Sequence, residues 1–191
     1  IYCYHSSVVF LFIFSYNDSV NRTKQCFKED VTMFNFFKKK SDNKKIVAYA
    51  KGKFIPITDV PDPIFSEKMM GDGVAILVEG DTIYAPCDAK VAMVATTFHA
   101  VGLNLADGTE LLIHIGLETV NLNGKGFTPL VKADDEIKKG QPLMKVDLNV
   151  MKENNLELYT PLVVLNHDTH PFKDIHTGDN IEVGDDLIQF N

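Results

Sequence analysis

Two histidines, His99 and His114, flank the turn Asp107-Gly108 and could carry out chemistry together. A neutral imidazole is a good nucleophile toward phosphorus and a good leaving group, and it titrates near physiological pH. A second imidazole nearby can donate a hydrogen bond or a positive charge to the oxygens of a transferred group. Thr97 precedes His99 by two residues, so its hydroxyl could hold that ring. The three side chains predict a group-transfer site if the fold brings them to one face.

The turn between the histidines sets their relationship. Asp-Gly between two apolar runs favours a β-hairpin with a two-residue loop. With Asp107 and Gly108 as that loop, His114 faces Val101 across the hairpin. His99 is two residues from Val101, so it lies on the face of His114, roughly 7–8 Å away on the diagonal. A loop of three residues would move the register by one and put the histidines on opposite faces.

The rest of the sequence reads as short apolar runs separated by turns. Many short strands at this spacing predict an all-β sandwich or barrel. One short helix is predicted at Asn149–Asn154, and no long amphipathic helix is visible. The predicted strands include Val74–Val78, Val91–Ala95, Glu110–Ile115, Leu143–Val146, Leu162–Leu165 and Leu187–Phe190.

The composition excludes several classes of protein. Of 191 residues, 45% are hydrophobic and 24% are charged, which fits one folded domain and argues against a disordered chain. The formal net charge of -7 argues against nucleic acid as a partner, because nucleic-acid-binding surfaces are basic. The cysteines are odd in number and far apart, so they indicate no disulfide framework. The apolar run from Val8 to Phe14 is too short to cross a bilayer, which takes roughly 20 residues. We therefore expect a cytoplasmic protein.

The first part of the chain differs from the rest in composition and in its pattern of apolar residues. We expect residues 1–45 to be a tail and residues 46–191 to be one domain. Met33 is an alternative start, so residues 1–32 could be a leader or an artefact of start-site choice. The basic, aromatic segment 33–45 is either a weak anchor on anionic lipid at the inner face of the membrane or a solvated linker.

The two strands that carry the histidines resemble a known family. The stretches "APCDAKVAMVATTFHAVGL" and "GTELLIHIGLETVNLNGKGF" are similar to the glucose-type enzyme IIA family of the bacterial phosphoenolpyruvate-dependent sugar phosphotransferase system. The resemblance covers about residues 46–190. It implies an all-β fold, an antiparallel β-sandwich or barrel-sandwich hybrid, with a shallow active-site depression. It also implies a phosphocarrier that accepts a phosphoryl group from the histidine phosphocarrier protein HPr and passes it to a cysteine of a sugar-specific IIB domain.

The resemblance also implies roles for single residues. His114 matches the phosphorylated histidine, and His99 in "TFHAVG" matches the second active-site histidine. Thr97 matches the threonine that orients His99. The family usually has aspartate where this chain has a glutamate, which lengthens a carboxylate near the site by one methylene. No cofactor is required. The partner-binding rim is expected at Phe65, Val101, Leu112 and Glu118.

Other classes of protein remain open on the residues alone. His99, His114 and a carboxylate such as Glu118 could bind zinc in a hydrolase of related β-topology. Alternatively, a zinc ion could bridge the two histidines, with a partner's carboxylate completing the site. A regulatory docking protein that signals by its phosphorylation state is compatible with phosphocarrier chemistry. A second histidine group, predicted to be a polar loop and not a metal site, comprises His167, His170 and His176.

A carrier domain with a lipoyl or biotinyl group is the last alternative. The stretch "GQPLMKVDLNVMK" superficially resembles such domains. However, Lys152 follows Gly140 by more residues than that hairpin allows. The spacing therefore argues against a carrier lysine.

Overall fold

The computed structural model describes residues 45–191 of the chain. The predictions for residues 1–32 and for segment 33–45, except Lys45 itself, lie outside the described residues. No helix within residues 45–191 is both long and apolar enough to cross a membrane. Two 3₁₀ turns span Ile57–Asp59 and Thr119–Leu122, and two short α-helices are α1 (Pro63–Ser66) and α2 (Leu148–Glu153). The strands are β1 (Lys45–Val47), β2 (Gly52–Pro56), β3 (Asp72–Val78), β4 (Thr82–Tyr84), β5 (Ala89–Val94), β6 (Ala100–Asn104), β7 (Glu110–His114), β8 (Phe127–Pro129), β9 (Glu136–Ile137), β10 (Pro142–Val146), β11 (Tyr159–Val164), β12 (Phe172–Asp174), β13 (Asn180–Ile181) and β14 (Asp186–Phe190).

The strands predicted from apolar runs are present, with ends that differ by a few residues. The predicted helix at Asn149–Asn154 corresponds to α2, where the Asp147 side chain accepts hydrogen bonds from the first backbone N–H groups. Because short apolar runs between turns can bury one face without a helix, they specify strands over most of this chain. The prediction of an antiparallel β-sandwich with at most short helices is confirmed.

Within residues 45–191 the strands form three antiparallel sheets. The large sheet has the order β13-β2-β3-β11-β7-β6-β5-β9, and the two small sheets have the orders β1-β14-β12 and β4-β10-β8. Side chains from all three sheets meet in one buried cluster, which is the main core. Ile46 of a small sheet and Leu103 of the large sheet both belong to it and are fully buried.

The two faces of the large sheet pack against different partners. Along β3, Val74 and Ile76 point into the main core, while Ala75 points to the other face. On that other face, Ala75 and Val163 form a second buried cluster with Phe65 of α1. This alternation has the side-chain period of two that a strand imposes. Residues on the second face are therefore available to build a site outside the main core.

The hairpin of β6 and β7 has a different register from the one predicted. Asn104 pairs with Glu110, and the Leu105 N–H donates to the Thr109 carbonyl at 2.9 Å, so the loop holds three residues, Ala106 to Gly108. Gly108 has φ +94°, in the left-handed region that closes such three-residue loops. The predicted pairing of His114 with Val101 is wrong, because His114 pairs with Ala100.

Candidate active site

The two predicted histidines lie side by side. Their ring centroids are 5.0 Å apart and the ring planes meet at 72°, an edge-to-face arrangement. His114 is the last residue of β7, and its side chain is on the second face of the large sheet. His99 is buried and lies in the bend just before β6. The structure therefore brings together the pair that the sequence indicated.

The route by which His99 reaches His114 is not the predicted one. A three-residue loop should put the histidines on opposite faces if the strand continued regularly through His99. It does not continue, because Phe98 has φ +59° in the left-handed region and turns the chain. The carbonyl of His99 still accepts a hydrogen bond from the Ile115 N–H at 2.7 Å. The irregular backbone at Phe98 therefore turns the His99 ring to the same face of the sheet as His114.

Thr97 holds the ring of His99. Its Oγ1 lies 2.6 Å from Nδ1 of His99, a short hydrogen bond. When the hydroxyl donates to Nδ1, the proton of the neutral ring must be on Nε2. A ring held this way presents an N–H donor from its far side. The predicted contact between Thr97 and His99 is present in the structure.

Both rings are kept neutral by burial. Burial of the ring is the main cause that lowers the pKa of His114 from 6.5 to about 3, and the neighbouring His99 contributes in the same direction. Hydrogen bonding with the backbone of Gly116 has a smaller, opposite effect on that pKa. Burial also lowers the pKa of His99. A neutral imidazole keeps a free lone pair, so the site favours nucleophilic attack by a ring nitrogen at neutral pH.

The two ring nitrogens of His114 are not equivalent, although the residue as a whole is only half-buried. Nδ1 is buried and has no hydrogen-bond partner of standard geometry among residues 45–191. A reaction with a large partner molecule must therefore use Nε2.

The lowered pKa of His114 predicts a loss of stability in acid. Below about pH 6.5 the unfolded chain binds a proton at this histidine, whereas the folded protein does so only near pH 3. The free energy of unfolding should fall across this window by up to about 1.4 kcal/mol per pH unit. Urea unfolding of the wild-type protein and of His114→Gln, at several pH values between 4 and 7, isolates the effect. Parallel stability curves for the two proteins would contradict the assignment.

The apolar surroundings of His114 differ in part from the predicted rim. Phe65 lies against the ring, with centroids 5.2 Å apart, but it is itself buried. It is placed there by α1, which Asp62 caps and Pro63 begins. Leu112 lies two residues before His114 on the same face and is partly exposed. Phe65 thus forms a wall of the site, and Leu112 borders it.

Val101 does not belong to this rim. It is fully buried in the main core, on the opposite face of the large sheet from His114. The family resemblance implied this rim position, but the observed register places Ala100, and not Val101, opposite His114. The expectation that Val101 borders the site is wrong.

Glu118 does not form a metal site with the two histidines among the described residues. It is exposed and has φ +58° at the start of the 3₁₀ turn Thr119–Leu122. Within residues 45–191, no group of three or more histidine, cysteine or acidic side chains is placed to hold a metal ion. Two neutral imidazoles suit zinc, but a third ligand would have to come from outside the described part of the chain. Zinc between His99 and His114 stays a prediction.

Comparison with protein families identifies the class of this site. Residues 44–170 match the model of the family described as phosphoenolpyruvate-dependent sugar phosphotransferase system, EIIA 1. The match covers most of the chain and both histidines. The chain belongs to this EIIA family.

Relatives of known type agree with the family match. A glucose-specific EIIA component of Staphylococcus epidermidis is 43% identical over 136 residues, which is 71% of this chain and 82% of that protein. A glucoside-specific EIICBA component of Staphylococcus carnosus is 49% identical over 146 residues, or 76% of this chain. The chain spans only 21% of the length of that EIICBA protein.

A solved structure supports the fold of this EIIA chain. It resembles the glucose permease IIA of Mycoplasma capricolum with a TM-score of 0.69 and 32% identity. The likeness covers 75% of this chain and 93% of that one. The predicted glucose-type EIIA family, a family of sugar phosphotransferase system components, is thereby confirmed.

Exchange of Thr97 for valine should disturb the EIIA site without removing its nucleophile. The variant leaves Nδ1 of the buried His99 ring without its partner, which costs about 1–3 kcal/mol of unfolding free energy. We expect phosphoryl transfer to fall by about 10-fold, because the ring of His99 is no longer held. Chemical unfolding and a transfer assay measure the two effects. Thr97→Ser, which keeps the hydroxyl, is the control, and equal defects in both variants would refute the role of the hydrogen bond.

Sequence reasoning missed the residues behind His114. Thr119 is fully buried and its hydroxyl bonds to the backbone directly after His114. The only available signal was a glycine and a threonine shortly after the histidine in "LLIHIGLETV". Such a pair is common in turns, so it did not stand out.

Proposed function

We propose that this chain is a phosphocarrier that accepts a phosphoryl group on His114 and passes it on. The observation that carries the proposal is the neutral His114 ring, whose buried Nδ1 leaves Nε2 to react beside His99. Membership of the EIIA family supports the same role. The donor proposed is the phosphorylated histidine protein HPr, and the acceptor is a cysteine of a sugar-specific IIB domain.

The chemistry follows from the positions of the ring nitrogens. The lone pair on His114 Nε2 attacks phosphorus and forms a new P–N bond, while the donor's P–N bond breaks and its imidazole keeps the electron pair. His99 faces the reacting side and donates a hydrogen bond to the phosphoryl oxygens, which stabilises their charge. In the second transfer the imidazole of His114 leaves and a thiolate sulfur takes the phosphoryl group. Phosphoryl transfer depends mainly on such positioning and charge stabilisation.

The surroundings of the histidines support docking by protein partners. Partly exposed apolar side chains lie on the second face, including Ile55, Met70, Leu112 and Leu117. An apolar surface excludes water from the reacting atoms and accepts more than one partner. We propose that HPr and the IIB domain bind here in turn. The EIICBA names of two long relatives support a partnership with IIB.

The test is reconstitution of both transfers. The chain is incubated with phosphoenolpyruvate and the general phosphotransferase proteins, the label is mapped, and a IIB domain is then added. We expect acid-labile label on His114 that is lost when the IIB domain is added. Label on another residue, or no label, would refute the proposal.

A further inference from the structure

The turn that follows His114 is unusually tight. Gly116 has φ +73° and Glu118 has φ +58°, so two residues of this turn are in the left-handed region. A Cβ on Gly116 would lie 2.6 Å from Cγ2 of Thr119, closer than atoms can approach. Backbone in this conformation needs support from its surroundings to persist.

The support comes from the hydroxyl of Thr119. Oγ1 donates to the carbonyl of Ile115 at 2.7 Å and also reaches the carbonyl of Gly116 at 3.2 Å. The side chain is fully buried, so water does not compete for these carbonyls. One hydroxyl therefore holds the carbonyls of two consecutive residues, Ile115 and Gly116.

A second buried threonine acts on the same glycine from the other side. Oγ1 of Thr160 accepts from the Gly116 N–H at 3.4 Å and donates to the carbonyl of Leu158 at 3.0 Å. The Gly116 backbone is thus held at its N–H and at its carbonyl.

The position of Gly116 matters for the ring of His114. Attack by Nε2 needs a lone pair there, so the ring proton must sit on Nδ1, which is buried. Because Nδ1 is buried, its proton needs a buried acceptor, and hydrogen bonding with the Gly116 backbone raises the pKa of this ring, as an accepting carbonyl does. A carbonyl has two lone pairs and can serve Thr119 and the ring together.

We propose that Thr119 is a positioning residue for His114: its hydroxyl holds the Ile115 and Gly116 carbonyls so that the ring keeps its proton on Nδ1 and offers Nε2 to phosphorus. The inference rests on the proposed phosphocarrier role of His114. It assigns a role to a side chain that touches neither partner.

The experiment compares Thr119→Val with wild type by two measurements. Long-range ¹H–¹⁵N correlation spectra report which nitrogen of His114 carries the proton, and a phosphorylation assay reports the rate and the apparent affinity for the donor. We expect a mixture of tautomers in the variant, a rate of phosphoryl uptake about 10- to 100-fold lower, and little change in apparent affinity.

Two matched variants give the controls. Thr119→Ser keeps the hydroxyl and should restore both the tautomer and the rate. Thr109→Val removes another fully buried threonine hydroxyl, which has no hydrogen-bond partner among the described residues, and should leave both unchanged. If Thr119→Val does not fold, Thr119→Ser against Thr119→Ala gives the same comparison, since the pair differs only in the hydroxyl.

The outcomes separate this inference from the proposed function. A wild-type tautomer and rate in Thr119→Val, or equal defects in the serine and valine variants, would overturn the role of Thr119. The tautomer is read without any phosphoryl donor. If it responds to Thr119→Val while the wild-type protein takes up no label, positioning by Thr119 is supported and the phosphocarrier function is refuted.

Discussion

Replacement of His114 by glutamine should abolish phosphorylation of this protein. Glutamine has a similar size and can form hydrogen bonds, but its amide nitrogen is not a nucleophile, so no P–N bond can form. The ring of His99 next to it does not substitute, because Thr97 occupies its Nδ1 and fixes its orientation. We expect less than about one thousandth of the wild-type labelling rate, in line with the loss of a nucleophile. Phosphoryl uptake from phosphoenolpyruvate through the general proteins measures the effect.

The control for this prediction is a histidine remote from the pair. His170 is half-buried and contacts Thr169 and the carbonyl of Asp107 at the hairpin loop. His170→Gln should be labelled at the wild-type rate. Normal labelling of His114→Gln would remove the assignment of the phosphoryl group to His114.

Replacement of His99 by glutamine should separate the two transfers. The nucleophilic ring of His114 is still present in the variant. We therefore expect it to accept a phosphoryl group from a donor protein whose own side chains stabilise the charge on phosphorus. In the proposed second transfer the phosphoryl group starts on His114, whose ring centroid is 5.0 Å from that of His99. Loss of a donor at developing charge costs about 10²- to 10³-fold in rate. We expect a stable phosphoprotein that passes its group to the IIB domain at least about 100-fold more slowly.

Rapid-mixing measurements of uptake and of discharge test this separation. The fold should be unaffected, which chemical unfolding checks. A variant that discharges at the wild-type rate would show that His99 is not needed for the second transfer. A variant that cannot be labelled would show that it is needed for the first transfer as well.

The strands and the identity of the site residues could be predicted from the sequence because both depend on local patterns. The run Val74–Val78 is apolar and lies between turns, and it forms β3. His99, His114 and Thr97 were recognised from their types and from the stretches around them. The structure brings these three side chains together. Short-range patterns carry this information without reference to the rest of the fold.

Local patterns could not predict which face of the sheet each side chain of the β6–β7 hairpin occupies. Asp-Gly favours a two-residue loop, but the side chain of Asn166 accepts from the Glu110 N–H and donates to the Gly108 carbonyl. These tertiary hydrogen bonds favour the three-residue loop. A shift of one residue moves every side chain to the other face, which is why Val101 lies in the core.

The sequence by itself therefore determined the class of fold, the family and the pair of histidines. Tertiary structure alone decided how the pair meets, through the left-handed turn at Phe98, and what supports it, through the buried hydroxyl of Thr119. The physical reason is the distance along the chain over which the two kinds of interaction act. Strand propensity and turn chemistry act between neighbours in the chain, whereas register, burial and the hydrogen bonds of buried hydroxyls depend on residues far away in sequence.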